Sequence, residues 1–149
     1  MNYMLTEREK LVQELARKVA EDKVRPVAQQ LDAEQTFPSF LFSELAQTEL
    51  CGVAIPEEYG GLGGNEMETI LVIEELSRAC AGIALAFAGT VLATYPILLY
   101  GSEEQKQEYL PKIASGKKIG AFALTEEGAG SDASAVKTTA VRDKGGYCL

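Results

Sequence analysis

Residues 102–124 read SEEQKQEYLPKIASGKKIGAFAL, and the hydrophobic period changes inside them. Ser102 followed by Gln105 has the form of a capping box, Tyr109, Leu110 and Ile113 fall on one helical face, and Gly116 supplies a stop. Beyond Lys118 the pattern is that of a strand over 119–124, a Gly-rich loop over 125–133 and an alternating second strand over 136–142. The turn residues at 143–146 then send Tyr147, Cys148 and Leu149 into a third strand. The chain therefore divides into a helical domain, 1–117, and the beginning of a β-domain, 118–149.

Upstream, Thr6 and Glu9 form another capping-box pair, and Leu11, Leu15, Val19 and Val24 recur at helical spacing through a charged segment. This predicts an amphipathic first helix that kinks or restarts at Pro26 and ends near Leu31 before the turn-rich 32–38. A second helix is expected over 39–50. Pro56 with Gly60, Gly61, Gly63 and Gly64 makes 51–65 a structured loop. Asn65 is the expected N-cap of a third helix that runs to Ala79 and is broken by Gly82. The helix expected over 83–99 is apolar nearly all round, which predicts a central position covered on most sides. The fold class is mainly α: an orthogonal or up-down bundle of about five helices, followed by two or three strands.

Composition narrows the chemistry. Fourteen Lys and Arg stand against 22 Asp and Glu, a net charge of −8, which argues against a broad basic surface for nucleic acid. With no histidine in the chain, Ser-His-Asp and Cys-His catalysis and histidine-containing zinc sites are excluded. Cys51, Cys80 and Cys148 are odd in number and show no CxxC spacing, so they read as reduced, buried thiols. No secretory signal is read at the start, and the apolar stretch at 79–100, without basic or aromatic anchors, reads as a buried helix and not a membrane span.

The run that carries chemistry is AFALTEEGAGSD at 121–132. A strand ending at Thr125 and entering a Gly-Ala-Gly-Ser turn gathers backbone N–H groups and hydroxyls into a small concavity suited to pyrophosphate oxygens and ring carbonyls. Gly128 and Gly130 permit positive φ and close approach of a ligand, and Ser131 offers a hydroxyl donor. The plain alternative is an ordinary turn, since the dinucleotide fingerprint GxGxxG before a helix is absent.

LTEEGAGSDASAVKTTAVRDKGGYCL at 124–149 closely resembles the signature of the acyl-CoA dehydrogenase family. The resemblance continues through IPEEYGGLGG at 55–64, IEELSRACAGIALAF at 73–87 and YGSEEQKQEYLPKIASGKKIGAFALTE at 100–126, and short-chain, butyryl-type members look most similar. It implies that the β-domain is the start of a barrel-like, FAD-binding middle domain, with the complete protein an oxidoreductase that α,β-desaturates acyl-CoA thioesters. Phe122 and Leu124 would then pack along the isoalloxazine, with Thr125 and the Leu124 backbone on its polar edge. Gly130 and Ser131 would approach the pyrophosphate, Ser131 also lying near the thioester's path. Ala84, Ala88 and Leu92, at spacings of four, match positions that line the acyl pocket; the plain reading makes them ordinary core residues.

Glu127 stands where the family usually has proline, so its side chain is expected to point outward, and Glu126 beside it reads as a solvated acid. The catalytic base implied by the resemblance, a glutamate, lies outside this chain, so no catalytic residue is assigned and this piece alone is expected to be inactive. The resemblance further implies electron transfer to an electron-transferring flavoprotein, a homotetramer, and a cytoplasmic location in bacteria or the mitochondrial matrix in eukaryotes. Alternatives on the same architecture are flavoprotein oxidases such as acyl-CoA or nitroalkane oxidases. A chain complete at 149 residues would instead suggest a non-catalytic helical interaction module.

Overall fold

Thr6 opens the first helix as its spacing implies. Its hydroxyl accepts the Glu9 N–H at 3.2 Å, and the Glu9 carboxylate accepts the Thr6 N–H at 2.7 Å. The computed structural model describes residues 4–149, so Met1, Asn2 and Tyr3, the first part of the 1–6 opening that shows no secretory signal, lie outside the described residues. Helix α1, Glu7–Val19, passes through a π-helical turn, Ala20–Val24, into α2, Arg25–Glu34. That widened turn immediately precedes Pro26, whose ring cannot tolerate the usual approach of the carbonyl four residues back. Helix α2 continues past Leu31 because Gln35 adopts a left-handed conformation (φ 51°) and the N–H groups of Gln35 and Thr36 close the final turn.

The buried face of this rod differs from the expected one. Val12, Ala16, Val19, Ala20 and Val24 are buried, whereas Leu11 is 66% exposed and Leu15 lies at the surface. Small residues face inward because α1 packs closely on α4, Glu66–Ala79. Two ion pairs bracket that contact: Arg8 to Glu68 at 2.8 Å, and Arg17 to Glu75 through two bonds of 2.7 and 3.1 Å. Arg78 adds a third bond to Glu75 at 2.8 Å. Both carboxylates are buried, and each is satisfied by its arginine partners, as a buried charge requires.

Helix α3, Ser39–Gln47, leads into the loop, which folds on itself. Leu62, Gly63 and Gly64 donate to the carbonyls of Gly52, Ile55 and Val53 at 2.9, 2.8 and 2.8 Å. A Cβ at Gly61 would sit 2.0 Å from the Ile55 carbonyl oxygen, so only glycine fits there. Asn65 then caps α4 in a full box with Glu68. The break after α4 falls at Cys80, which is extended (φ −160°, ψ 115°), and not at Gly82. Gly82 instead lies in the first turn of α5, Ala81–Tyr100, where N–H groups have no intrahelical partner to lose. Helix α6, Glu103–Ala114, starts at the Ser102–Gln105 box. With α1 and α2 counted as one rod, the described residues form the five helical segments expected.

Helix α5 is not covered on most sides. Ile83, Ala84, Phe87, Thr90, Val91 and Thr94 are buried, while Leu85, Leu92 and Leu99 are 72%, 48% and 66% exposed. Packing against α4 and α6 occupies one face and leaves an apolar stripe at seven-residue spacing on the other. Among the described residues α5 is the one helix that is by length and composition apolar enough to cross a membrane, and its inner face is built into the core. The main core joins α1 to α5 through Leu41, Phe42, Leu45, Leu50, Val72, Leu76 and Phe87. A second cluster seats α6 on Ile55 and Tyr59.

The β-forming part is shorter than predicted. A hairpin of β1, Val141–Asp143, and β2, Gly146–Cys148, pairs Arg142 with Tyr147, and Lys144 and Gly145 take positive φ in the turn. Residues 119–124 and 136–140 form no ladder, because a strand is held by its neighbour and none is present among the described residues. Of the cysteines, Cys51 is buried, with desolvation pushing its thiol up to about 12. Cys80 is half-buried and Cys148, expected to be buried, is exposed on the uncovered hairpin.

Candidate functional site

The Gly-rich segment is attached to the helices at Gly120. Its carbonyl accepts the Thr90 hydroxyl of α5 at 3.2 Å, and a Cβ there would stand 2.8 Å from the Ala93 methyl. Glycine thus lets the chain lie directly on α5. After it, residues 121–125 run without any internal backbone hydrogen bond among the described residues.

The run is closed at its far end by Glu126. The backbones of Glu126 and Ala129 exchange two bonds of 3.1 Å around the Glu127–Gly128 turn. The Glu126 carboxylate accepts the N–H groups of Lys137 and Thr138 at 3.0 and 2.9 Å. Bonds from the Thr138 hydroxyl and these two N–H groups hold its carboxyl below the ordinary 4.5. Glu126 is therefore a structural anion at the surface, half-buried and still reached by solvent as expected, but also bonded to two backbone N–H groups. Its neighbour Glu127 is exposed. Asp132 accepts the N–H of Ser134 at 3.2 Å and its hydroxyl at 2.5 Å, which shapes the turn after Ser131.

Phe122 and Leu124 are 43% and 48% exposed, and Thr125, Gly130 and Ser131 are all open to solvent. Neither Gly128 nor Gly130 takes the positive φ it permits, and nothing stands within 4 Å of where a Cβ would lie at either. The segment thus presents two apolar side chains, the unpaired backbone of 121–125 and two hydroxyls on an open surface. On α5, Ala84 is 1% exposed and packed in the core, Ala88 is half-buried and Leu92 emerges. Residues four apart drift by about 40° around a helix, so the trio turns from the core at one end to the surface at the other. The sequence does not single out Thr90 or Gly120, and it marks Glu126 only as a solvated acid. A threonine within an apolar helix is a signal for Thr90, whereas nothing local marks the contacts of the other two.

Among the described residues no cluster of three His, Cys, Asp or Glu side chains is arranged to hold a metal ion. An open concavity lined by Arg8, Leu11, Leu15, Glu49 and Leu62 lies between α1 and the loop, away from the Gly-rich segment.

The family described as acyl-CoA dehydrogenase, N-terminal domain, matches residues 6–117. The chain is 42% identical over 143 residues to the acryloyl-CoA reductase (NADH) of Anaerotignum propionicum, covering 96% of this chain and 36% of that protein. It superimposes on butyryl-CoA dehydrogenase from Megasphaera elsdenii with a TM-score of 0.87 at 36% identity, covering 99% of this chain and 40% of the other. Against an acyl-CoA dehydrogenase complexed with FAD from Bacillus anthracis the TM-score is 0.83 at 38% identity, over 91% of this chain and 23% of that one. The chain spans well under half the length of these relatives. Matched along most of its length by sequence and nearly all of it by fold, the chain belongs to the acyl-CoA dehydrogenase family and carries its N-terminal domain.

Proposed function

We propose that the protein to which this chain belongs is an FAD-dependent oxidoreductase that α,β-desaturates an acyl-CoA thioester and passes the electrons to an electron-transferring flavoprotein. In this reading 1–117 is the helical domain and 118–149 opens the flavin-binding domain. The observation that carries it is the 121–131 surface, seated on α5 at Gly120 with the backbone of 121–125 unpaired and Phe122 and Leu124 uncovered.

FAD supplies the two-electron acceptor for the substrate's β-hydride. Phe122 and Leu124 cover the ring and keep water from it, while the Leu124 backbone and the Thr125 hydroxyl fix its polar edge. Gly130 leaves room for the pyrophosphate, and the Ser131 hydroxyl donates to it beside the path of the thioester. Ala88 and Leu92 line the acyl pocket, with Ala84 supporting them from the core. The base that takes the α-proton is assigned to no residue here. A cytoplasmic homotetramer acting on short-chain acyl groups is the finer form of the proposal, and likeness to a butyryl-CoA dehydrogenase supports the short-chain part of it.

A second reading has the same surface running the reaction in the saturating direction, and the identity to an acryloyl-CoA reductase favours it. One anaerobic experiment on the complete protein separates the two. A dehydrogenase bleaches its visible flavin absorbance on addition of a saturated short-chain acyl-CoA and recovers it with electron-transferring flavoprotein. A reductase consumes NADH with a 2-enoyl-CoA. A complete protein that purifies without flavin and binds none sinks both. The 149-residue chain alone is expected to hold no stoichiometric flavin, since its binding surface is open.

A further inference from the structure

We infer that Thr90 and Glu126 are positioning residues that pin the two ends of the 121–125 run and so set where it meets the flavin, an assignment that rests on the flavin site proposed above. An extended segment with no ladder needs something else to fix its position, because each backbone residue left free retains its conformational entropy. The structure supplies a pin at each end. At the first, the Thr90 hydroxyl lies 3.2 Å from the Gly120 carbonyl and 3.3 Å from that of Ala86, and the missing Cβ of Gly120 brings the chain onto Ala93. At the second, Glu126 takes two backbone N–H groups from residues 11 and 12 positions later while its own backbone closes the turn with Ala129.

The two pins differ in strength and in what they connect. Thr90 is a neutral donor on the helix that also carries Ala88 and Leu92, so it ties the flavin-facing run to the acyl-facing helix. Glu126 is an ionised acceptor of two N–H groups, a stronger arrangement, and ties the run to the segment leading into β1. Neither side chain needs to touch the flavin to act.

The test uses the complete protein with FAD as the probe. Thr90→Val keeps the shape and removes the hydroxyl. Glu126→Gln keeps the shape but turns an amide NH2 toward one of two N–H donors. The dissociation constant for FAD is expected to rise roughly fivefold in Thr90→Val and roughly tenfold in Glu126→Gln. Both variants should shift the visible spectrum of the bound flavin, and Thr90→Ser should return both readouts to wild type. Melting of the flavin-free variants checks that the helical core is intact. Wild-type affinity and spectrum in both variants overturn the inference. If the wild-type protein binds no flavin, the site itself is wrong, and the pins are then read in the flavin-free protein by trypsin. Cleavage after Lys118 in Thr90→Val and after Lys137 in Glu126→Gln should be several-fold faster, and unchanged cleavage rejects the pins.

Discussion

The α1–α4 pair and the segment 118–149 handle the same polar backbone in opposite ways. Between the helices, capping boxes at Thr6 and Asn65 satisfy the first turns, and Glu68 and Glu75 are buried only because Arg8, Arg17 and Arg78 reach them. No buried side-chain polar atom among the described residues lacks a partner. In 118–149 only Ala129 is buried, and Phe122, Leu124, Val141, Tyr147 and Leu149 face solvent. One region closes its bonding within itself and gives stability. The other leaves groups free, which is what a surface that takes up a ligand or further chain must do.

The sharpest test of that division is a truncation in the core. Leu76 is fully buried where α4 meets α1 and α5, so Leu76→Ala should destabilise the chain by about 2–5 kcal/mol, measured by urea unfolding. A loss no larger than that of a surface change would mean that the helices do not form the stable half.

A smaller effect is expected at Glu75, and it depends on pH. Hydrogen bonds from Arg17, then those from Arg78, hold its carboxyl below 4.5 against a burial effect that pushes it up. With the folded value below the unfolded one, its contribution is fully present above about 4.5 and is lost as pH falls through the folded value. Glu75→Gln should therefore lower stability near neutrality by about 2 kcal/mol and flatten the acid side of the melting curve. Glu9 and Glu21, also held low, keep some acid sensitivity in the variant. Parallel pH profiles of the two proteins would show that Glu75 is not charged in the fold as described.

What the sequence revealed follows the range of the interactions involved. The Thr6 and Ser102 boxes were readable because both partners lie three residues apart, and the 143–146 turn because its residues tolerate positive φ. The inner face of α1 was not, since Val12 and Ala16 face inward only because α4 approaches closely, a fact set by residues some 60 positions away. Residues 119–124 have a strand's composition without a strand's neighbour. In the candidate site Thr125, Gly130 and Ser131 were legible as a motif. The contacts on either side of 121–125, Thr90 on Gly120 and Glu126 on Lys137 and Thr138, join residues 30, 11 and 12 positions apart, and only the threonine in an apolar helix hints at one of them.

The smallest expected effect is on the other side of the comparison. Leu92→Ser and Phe122→Ser change side chains that are 48% and 43% exposed, and each should alter the stability of this chain by less than about 1 kcal/mol. Each removes apolar area that the proposed site needs, so in the complete protein Leu92→Ser should weaken acyl-CoA binding and Phe122→Ser should weaken FAD binding. The informative measurement sets stability and ligand affinity side by side for the same variant. If either substitution destabilises the chain as much as Leu76→Ala does, that side chain belongs to the core, and the open surface is not where the molecule reserves its binding groups.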